Sequence, residues 1–277
     1  MSDFLMEMIM SSARRADAAR KSAPLARPQT AAPHGRLRAA LAAPGAARRD
    51  AGKPAPLALI AEIKRRSPSK GDIAPDLDAV KQAQAYEAAG AEAISVLTEP
   101  DRFGGSMDDL RAVAAAVSIP VLRKDFIIDP YQVWEAADAG AAAVLLIAAA
   151  LPSGSLGALL DECHDCGLDA LVEVHDADDL ERAYSVGASM MGVNNRDLHT
   201  LDVDLAVSEY LGALIGACVL FVSESGIGTP SDARRVRAAG AQAILVGETL
   251  VGTPHGHLAA TIAALRGVDP LDGGGRR

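Results

Sequence analysis

From residue 57 onward the chain alternates between two kinds of stretch. Short apolar runs rich in Val, Ile and Leu are followed by longer Ala-rich segments with apolar residues at helical spacing. Eight such runs stand out: ALIAEIK (58–64), AISVLTE (93–99), PVLRKDF (120–126), AAVLLIA (142–148), DALVEVH (169–175), MMGVNN (190–195), VLFVSES (219–225) and AILVGE (243–248). Each intervening segment is long enough for one helix. Near-continuous apolar strands separated by helices predict a parallel sheet covered by those helices. An internal repeat supports the count. EAAGAEAISVL, ADAGAAAVLLI, HDCGLDALVEV, SVGASMMGV and RAAGAQAILV each read as a helix end, a glycine and a strand. The glycines are Gly90, Gly140, Gly167, Gly187 and Gly240, placed where a left-handed residue ends a helix without a Cβ clash.

Eight βα units predict an α/β fold of the (β/α)8 TIM-barrel type over residues 57–266, with an N-terminal helical extension (1–56) and a flexible C-terminal tail (267–277). A doubly wound open sheet is the competing architecture, but no GxGxxG turn follows the first run. Within the extension, FLMEMIMSSARRADAARK reads as an amphipathic helix packing on the main body. Its apolar part is short and broken by Glu7, unlike a secretory leader. Pro24, Pro28 and Pro33 interrupt the stretch beyond that helix, and residues 44–56 read as a loop.

Composition narrows the function classes. The net charge is -9, divided unevenly as +6 over residues 1–56 and -15 over the rest. Aromatics are 3% of residues. Both facts count against a nucleic-acid binder, which wants a basic surface and stacking rings. No apolar run is long enough to span a membrane. Three cysteines make no disulfide framework, so the expected compartment is a reducing cytoplasm. Cys163-x-x-Cys166 falls in the helix before the fifth strand and has no second pair, so it reads as structural rather than as a redox or zinc motif.

The chemistry lies at the strand ends. A barrel enzyme carries its reactive groups at the C-terminal ends of its strands. Here Glu62 and Lys64 end the first run, Lys124 the third, Glu173 and His175 the fifth, Asn194 and Arg196 the sixth, and Glu224 and Ser225 the seventh. Residues two apart share a face. The sets Ile60–Glu62–Lys64, Leu122–Lys124–Phe126, Leu171–Glu173–His175 and Gly192–Asn194–Arg196 are therefore expected to point into the mouth. Buried charges are costly unless paired, so the three glutamates are expected to balance Lys64, Lys124 and Arg196 one for one. A lysine held between carboxylates stays protonated and can act as a general acid. SESGIG (223–228) and VGET (246–249) follow the seventh and eighth strands, where such barrels often hold phosphate on backbone N–H groups. Ser67, in KRRSPSKG, adds a hydroxyl from across the mouth.

IAEIKRRSPSKGDI (60–73), VLTEPDRFGGS (96–106), PVLRKDFIID (120–129), VEVH (172–175), GVNNRDL (192–198) and SESGI (223–227) together resemble the indole-3-glycerol phosphate synthase family. The likeness runs in order from about residue 57 to 265. It implies a carboxy-lyase of tryptophan biosynthesis that converts 1-(2-carboxyphenylamino)-1-deoxyribulose 5-phosphate to indole-3-glycerol phosphate, CO2 and water. It implies no metal and no organic cofactor. By the same likeness Lys124 protonates the ribulose carbonyl, and Glu62, Lys64 and Glu173 share the later proton transfers. Asn194 and Arg196 orient the hydroxyls and the anthranilate carboxylate, while Glu224 and Ser225 complete the polar wall. Ser67, Gly226, Gly247 and the backbone at Glu248 hold phosphate. Phe103 and Phe126 flank the aromatic ring, with Leu245 also on the substrate. The expected partner is a small phosphorylated molecule, with no nucleic acid and no membrane, and the expected state a monomer or weak homodimer. Two other readings stay in competition. An isomerase of phosphoribosylanthranilate would want a Cys/Asp pair at strand ends. A sugar-phosphate sensor would need the glycine loops but not the lysine–carboxylate set.

Overall fold

A computed structural model describes residues 3–28, 34–49 and 55–268. Eight parallel strands close into a barrel: β1 (Ala58–Ile63), β2 (Ala93–Leu97), β3 (Val121–Lys124), β4 (Ala143–Ile147), β5 (Asp169–Val174), β6 (Met190–Asn194), β7 (Leu220–Glu224) and β8 (Ala243–Val246). Each pairs with its sequence neighbour, and β1 closes the ring by pairing with both β8 and β2. Ile60 thus sits level with Leu245 on one side and Ala93 on the other. The sheet therefore has no edge left to protect.

The eight apolar runs are the eight strands, each one to three residues shorter than its run. The strands are buried along nearly their whole length, as parallel strands sandwiched between a barrel interior and a helical layer must be. The five repeat glycines all take positive φ, between 72° and 101°.

Two helices precede the barrel, α1 (Asp3–Ser22) and α2 (Arg36–Arg49). The barrel helices are α3 (Ala79–Ala88), α4 (Met107–Ala116), α5 (Pro130–Asp138), α6 (Ser153–Asp165), α7 (Ala177–Ser185), α8 (Ala206–Gly212), α9 (Pro230–Ala238), a short α10 (Glu248–Val251) and α11 (Leu258–Arg266). Helix starts follow local chemistry. Asp129 and Thr229 make capping boxes with Pro at the first helical position, and Ser106 and Asp176 accept the third backbone N–H.

Helix α2 corrects the expected loop at residues 44–56, because it runs through Pro44 to Arg49. A proline removes one helical hydrogen bond, but the alanines around it favour helix strongly enough to continue. The helix start is fixed by tertiary contact as well. Asp169, at the head of β5, accepts from the backbone N–H of Gly35, Leu37 and Arg38 at 2.6, 2.8 and 3.1 Å. Leu37 and Leu41 are fully buried there, so α2 stops the N-terminal end of the barrel. Residues 50–54 and the expected tail beyond Val268 lie outside the described residues.

The loop after β2 is held tightly. The buried Glu99 carboxylate accepts from the backbone N–H of Asp101, Arg102 and Phe103. Gly105 then passes so close to β2 that a Cβ would overlap the carbonyl of Leu97. Gly105→Ala should lower stability by about 2–3 kcal/mol, seen as a lower urea midpoint at unchanged slope. An unchanged midpoint would mean the loop yields freely.

Candidate active site

The C-terminal mouth opens into a cavity of about 610 Å³. Its walls alternate as the pleat requires. Glu62 and Lys64, Lys124 and Phe126, Leu145 and Ile147, Glu173, Asn194 and Arg196, and Leu245 and Gly247 all line it. Ser67, Phe103, Ser225, Gly226 and Glu248 complete the rim. Glu224 is not on the wall. It lies below, fully buried, where its carboxylate meets Lys124.

The charges form a web rather than three pairs, which corrects the expected one-for-one balance. Lys124 Nζ donates to Glu224 Oε2 at 3.0 Å and sits 3.4 Å from Glu62 Oε2. Lys64 Nζ is 2.9 Å from Glu62 Oε1 and 3.9 Å from Glu248 Oε1. Arg196 goes to Glu248 at 3.6 Å, not to a strand glutamate. Glu62, wedged between two lysines, thus serves both.

Titration follows from this crowding. Burial disfavours the Lys124 ammonium, but Glu224, Glu62 and Glu173 outweigh it and push its pKa well above the ordinary value. Burial raises Glu62, yet Lys64 and Lys124 bring it down to about 2. Glu224 goes the other way. Burial and the nearby Glu173 charge lift it to about 7, against the pull of Lys124. Glu173 is pushed up by burial but ends below the usual carboxylate range, because His175, Lys124 and Asn194 favour its charge. Asn194 Nδ2 donates to Glu173 Oε1 at 3.2 Å. In this cluster Lys124 is thus held as a cation and Glu62 and Glu173 as anions, while Glu224 can carry a proton near neutrality.

Two glycines make this packing possible. A Cβ on Gly192 would overlap Glu224 Oε1, and one on Gly247 would overlap Glu62 Oε1. Gly247 thus makes room for a carboxylate at the start of the loop after β8. In the loop after β7, Ser225 and Gly226 both take the left-handed conformation, at φ 65° and 77°. A Cβ at Gly226 would also strike Val203. The Glu248 side chain reaches the cavity too, with Lys70 Nζ 2.7 Å from its Oε2. Ser67 is buried nearby, its hydroxyl accepting from the backbone N–H of Lys70 at 3.2 Å.

The extension reaches the mouth through α1. Phe4 lines the cavity and meets Phe126 edge-on at 6.4 Å, with Phe103 at 6.4 Å on the same ring. Further along, Arg15 forks onto Asp125 with bonds of 2.9 and 2.8 Å. Asp125 is fully buried and also accepts from Thr98 and Arg123. Burial raises its pKa, but Arg15 and Arg123 bring it down to about 2. Ser12 donates to the Phe126 carbonyl at 2.5 Å. Helix α1 is thereby fastened to the same strand end that carries Lys124.

A family model for indole-3-glycerol phosphate synthase matches residues 11–263. The chain belongs to the indole-3-glycerol phosphate synthase family. A relative of that name from Beutenbergia cavernae is 50% identical over 210 residues, which cover 75% of this chain and 78% of the relative. One from Nocardioides sp. is 54% identical over 200 residues, covering 72% and 77%. Among solved structures, an N-acetylmannosamine-6-phosphate 2-epimerase from Clostridium perfringens superposes with a TM-score of 0.54 at 16% identity, over 69% of this chain and 86% of that one. At that identity the likeness is one of fold. The match to the synthase family extends back into α1, well before the motifs of the barrel begin.

The structure gathers every sequence-predicted site residue at one mouth, with Glu224 just beneath. One neighbour departs from expectation. His175 is absent from the cavity wall, because β5 ends at Val174 and the next side chain turns back onto α7. Sequence reasoning missed Phe4, Lys70, and the Arg15–Asp125 fork. For Phe4 the one signal was a scarce aromatic at the head of an amphipathic helix. Cys163 and Cys166 are both buried, and burial raises both thiols, Cys166 to about 11. That is the opposite of a reactive pair.

Proposed function

We propose that this mouth closes an indole ring by the family's reaction, with Lys124 as the acid at the first step. The chain is an indole-3-glycerol phosphate synthase of tryptophan biosynthesis. The observation that carries the residue roles is the Lys124 ammonium, lodged between Glu62 and Glu224 at the foot of the cavity. Phosphate loops and aromatic rings occupy separate arcs of the rim above it.

The substrate spans those arcs. Its phosphate sits on the backbone at Gly226, Gly247 and Glu248, with Ser67 and the Lys70 ammonium in reach. Its anthranilate ring lies among Phe4, Phe103, Phe126 and Leu245, while Asn194, Arg196 and Ser225 address its hydroxyls and carboxylate. Fixing both ends brings the ring carbon against the ribulose carbonyl, so that a loose encounter becomes a positioned one. As that carbon–carbon bond forms, the carbonyl oxygen gains negative charge and becomes a stronger base than an amine. Lys124 then gives up its proton despite its raised pKa. Loss of CO2 returns its electron pair to the cationic ring, which is itself the electron sink, so the step asks for no cofactor. Dehydration completes the indole, with Glu173, Glu62 and Lys64 sharing its proton transfers. Glu224, able to hold a proton near pH 7, restores the Lys124 ammonium.

The chain acts in the cytoplasm, a reading supported by its cysteine usage; among the described residues no helix is long and apolar enough to cross a membrane. The test of function is turnover. Purified chain, carboxyphenylamino-deoxyribulose phosphate and excess chelator should give steadily rising indole fluorescence. No signal with substrate still bound would leave a degenerate barrel, and neither signal nor binding would overturn the reading.

The α1 fork gives a further expected result. Arg15→Ala leaves the buried Asp125 with Arg123 as its remaining cation and should weaken α1 docking by about 2 kcal/mol, less than a fully buried pair because Arg15 is partly exposed. KM should rise several-fold while kcat changes less, and protease should cut sooner within residues 3–28. Unchanged KM and protection would mean that the fork does not hold α1 in place.

A further inference from the structure

Behind Glu173, on the side away from the cavity, lies a second charged chain that the reaction as described does not use. His175 Nε2 is 3.2 Å from Glu173 Oε1, and His175 Nδ1 is 3.4 Å from Asp179 Oδ2. The imidazole is nearly buried, with 13% of its side chain exposed. Asp179 is fixed in turn. It accepts from the His175 backbone N–H at 3.1 Å and from Arg182 at 2.5 Å. The order is thus Arg182, Asp179, His175, Glu173 and Asn194, running from α7 into the mouth.

We propose that His175 and Asp179 are positioning residues for Glu173, clamping its carboxylate from behind while touching no substrate themselves. The proposal rests on the functional reading above, in which Glu173 moves protons. The physical need is clear. A carboxylate 2% exposed would otherwise protonate, because burial disfavours its charge. Lys124 is shared among three carboxylates, so it does not hold Glu173 alone. A cationic imidazole does, and the carboxylate on its far side keeps it cationic. Both ring nitrogens lie at ion-pair distance without well-aimed hydrogen bonds, so the hold is mainly one of charge.

The groups facing His175 agree in sign. Glu173 on β5 and Asp179 on α7 flank the ring, and Asp197, in the loop after β6, feels its charge. Arg182 is the opposing cation, and it is spent on Asp179. Burial lowers the His175 pKa, but these carboxylates outweigh it and lift it to about 10.

Two measurements decide the matter. In the intact chain labelled with 15N at its six histidines, one ring should keep the imidazolium signature at pH 8.5. Its loss in His175→Gln assigns it. A spectrum with no imidazolium at that pH would overturn the proposal, even if the variants fail to fold. In the kcat–pH profile, His175→Ala should move the acidic limb up by at least one pH unit, with KM within twofold of the wild type. Gln, which can donate a hydrogen bond but carries no charge, should fall between, and Asp179→Asn should shift the limb the same way. An unmoved limb in a folded His175→Ala would contradict the clamp. A wild-type chain without turnover would defeat the functional reading instead, and the nitrogen spectrum would still decide this one.

Discussion

Lys124→Ala should lower turnover by at least roughly 100-fold while the circular-dichroism spectrum and substrate binding persist. The size follows from the site. Lys124 is the one ammonium that touches both Glu62 and Glu224, whereas its neighbour Lys64 reaches Glu62 and Glu248. Removing it leaves Glu62 and Glu224 without the ammonium between them. Glu224, already lifted to about 7 with the lysine present, should then rise further and stay protonated at neutral pH. That relief is why the fold should survive. Near-normal turnover in the variant would show that the carbonyl takes its proton elsewhere.

Glu173→Gln should also cost at least roughly 100-fold in kcat, but for a different reason and at a later stage. The amide keeps the shape and can still accept from Asn194, so binding should change little. It can neither take a proton nor hold the His175 cation. Rapid-quench sampling should therefore find substrate consumed ahead of indole, with an intermediate accumulating after CO2 loss. Equal loss of substrate consumption and indole formation would move Glu173 back to the first step.

Much of this was legible along the chain. The barrel came from eight apolar runs and the repeated helix–glycine–strand unit, because both patterns are local. The mouth came from charges sitting late in apolar runs, where a barrel has to expose them. Other features have no local signature. The path of α2 through Pro44 balances alanine propensity against one lost hydrogen bond, and Asp169, far along the chain, settles where it starts. The turning of His175 depends on β5 stopping one residue short. Sharing Lys124 between Glu62 and Glu224 depends on strand stagger, and on Gly192 leaving space for a carboxylate. Phe4 reaches the mouth on a helix that Arg15 and Ser12 fasten to Asp125 and Phe126, just past β3. Pairings across the barrel leave no periodicity to read.

In the proposed sequence of steps Lys124 acts before CO2 leaves, and CO2 release measures that order most directly. Wild-type chain, Lys124→Ala and Glu173→Gln would each be mixed with carboxyl-labelled substrate in a single turnover, following labelled CO2 and indole together. Lys124→Ala should release neither, because the ring never closes, and Glu173→Gln should release CO2 ahead of indole. Normal CO2 release from Lys124→Ala, with indole alone delayed, would contradict a first step at Lys124.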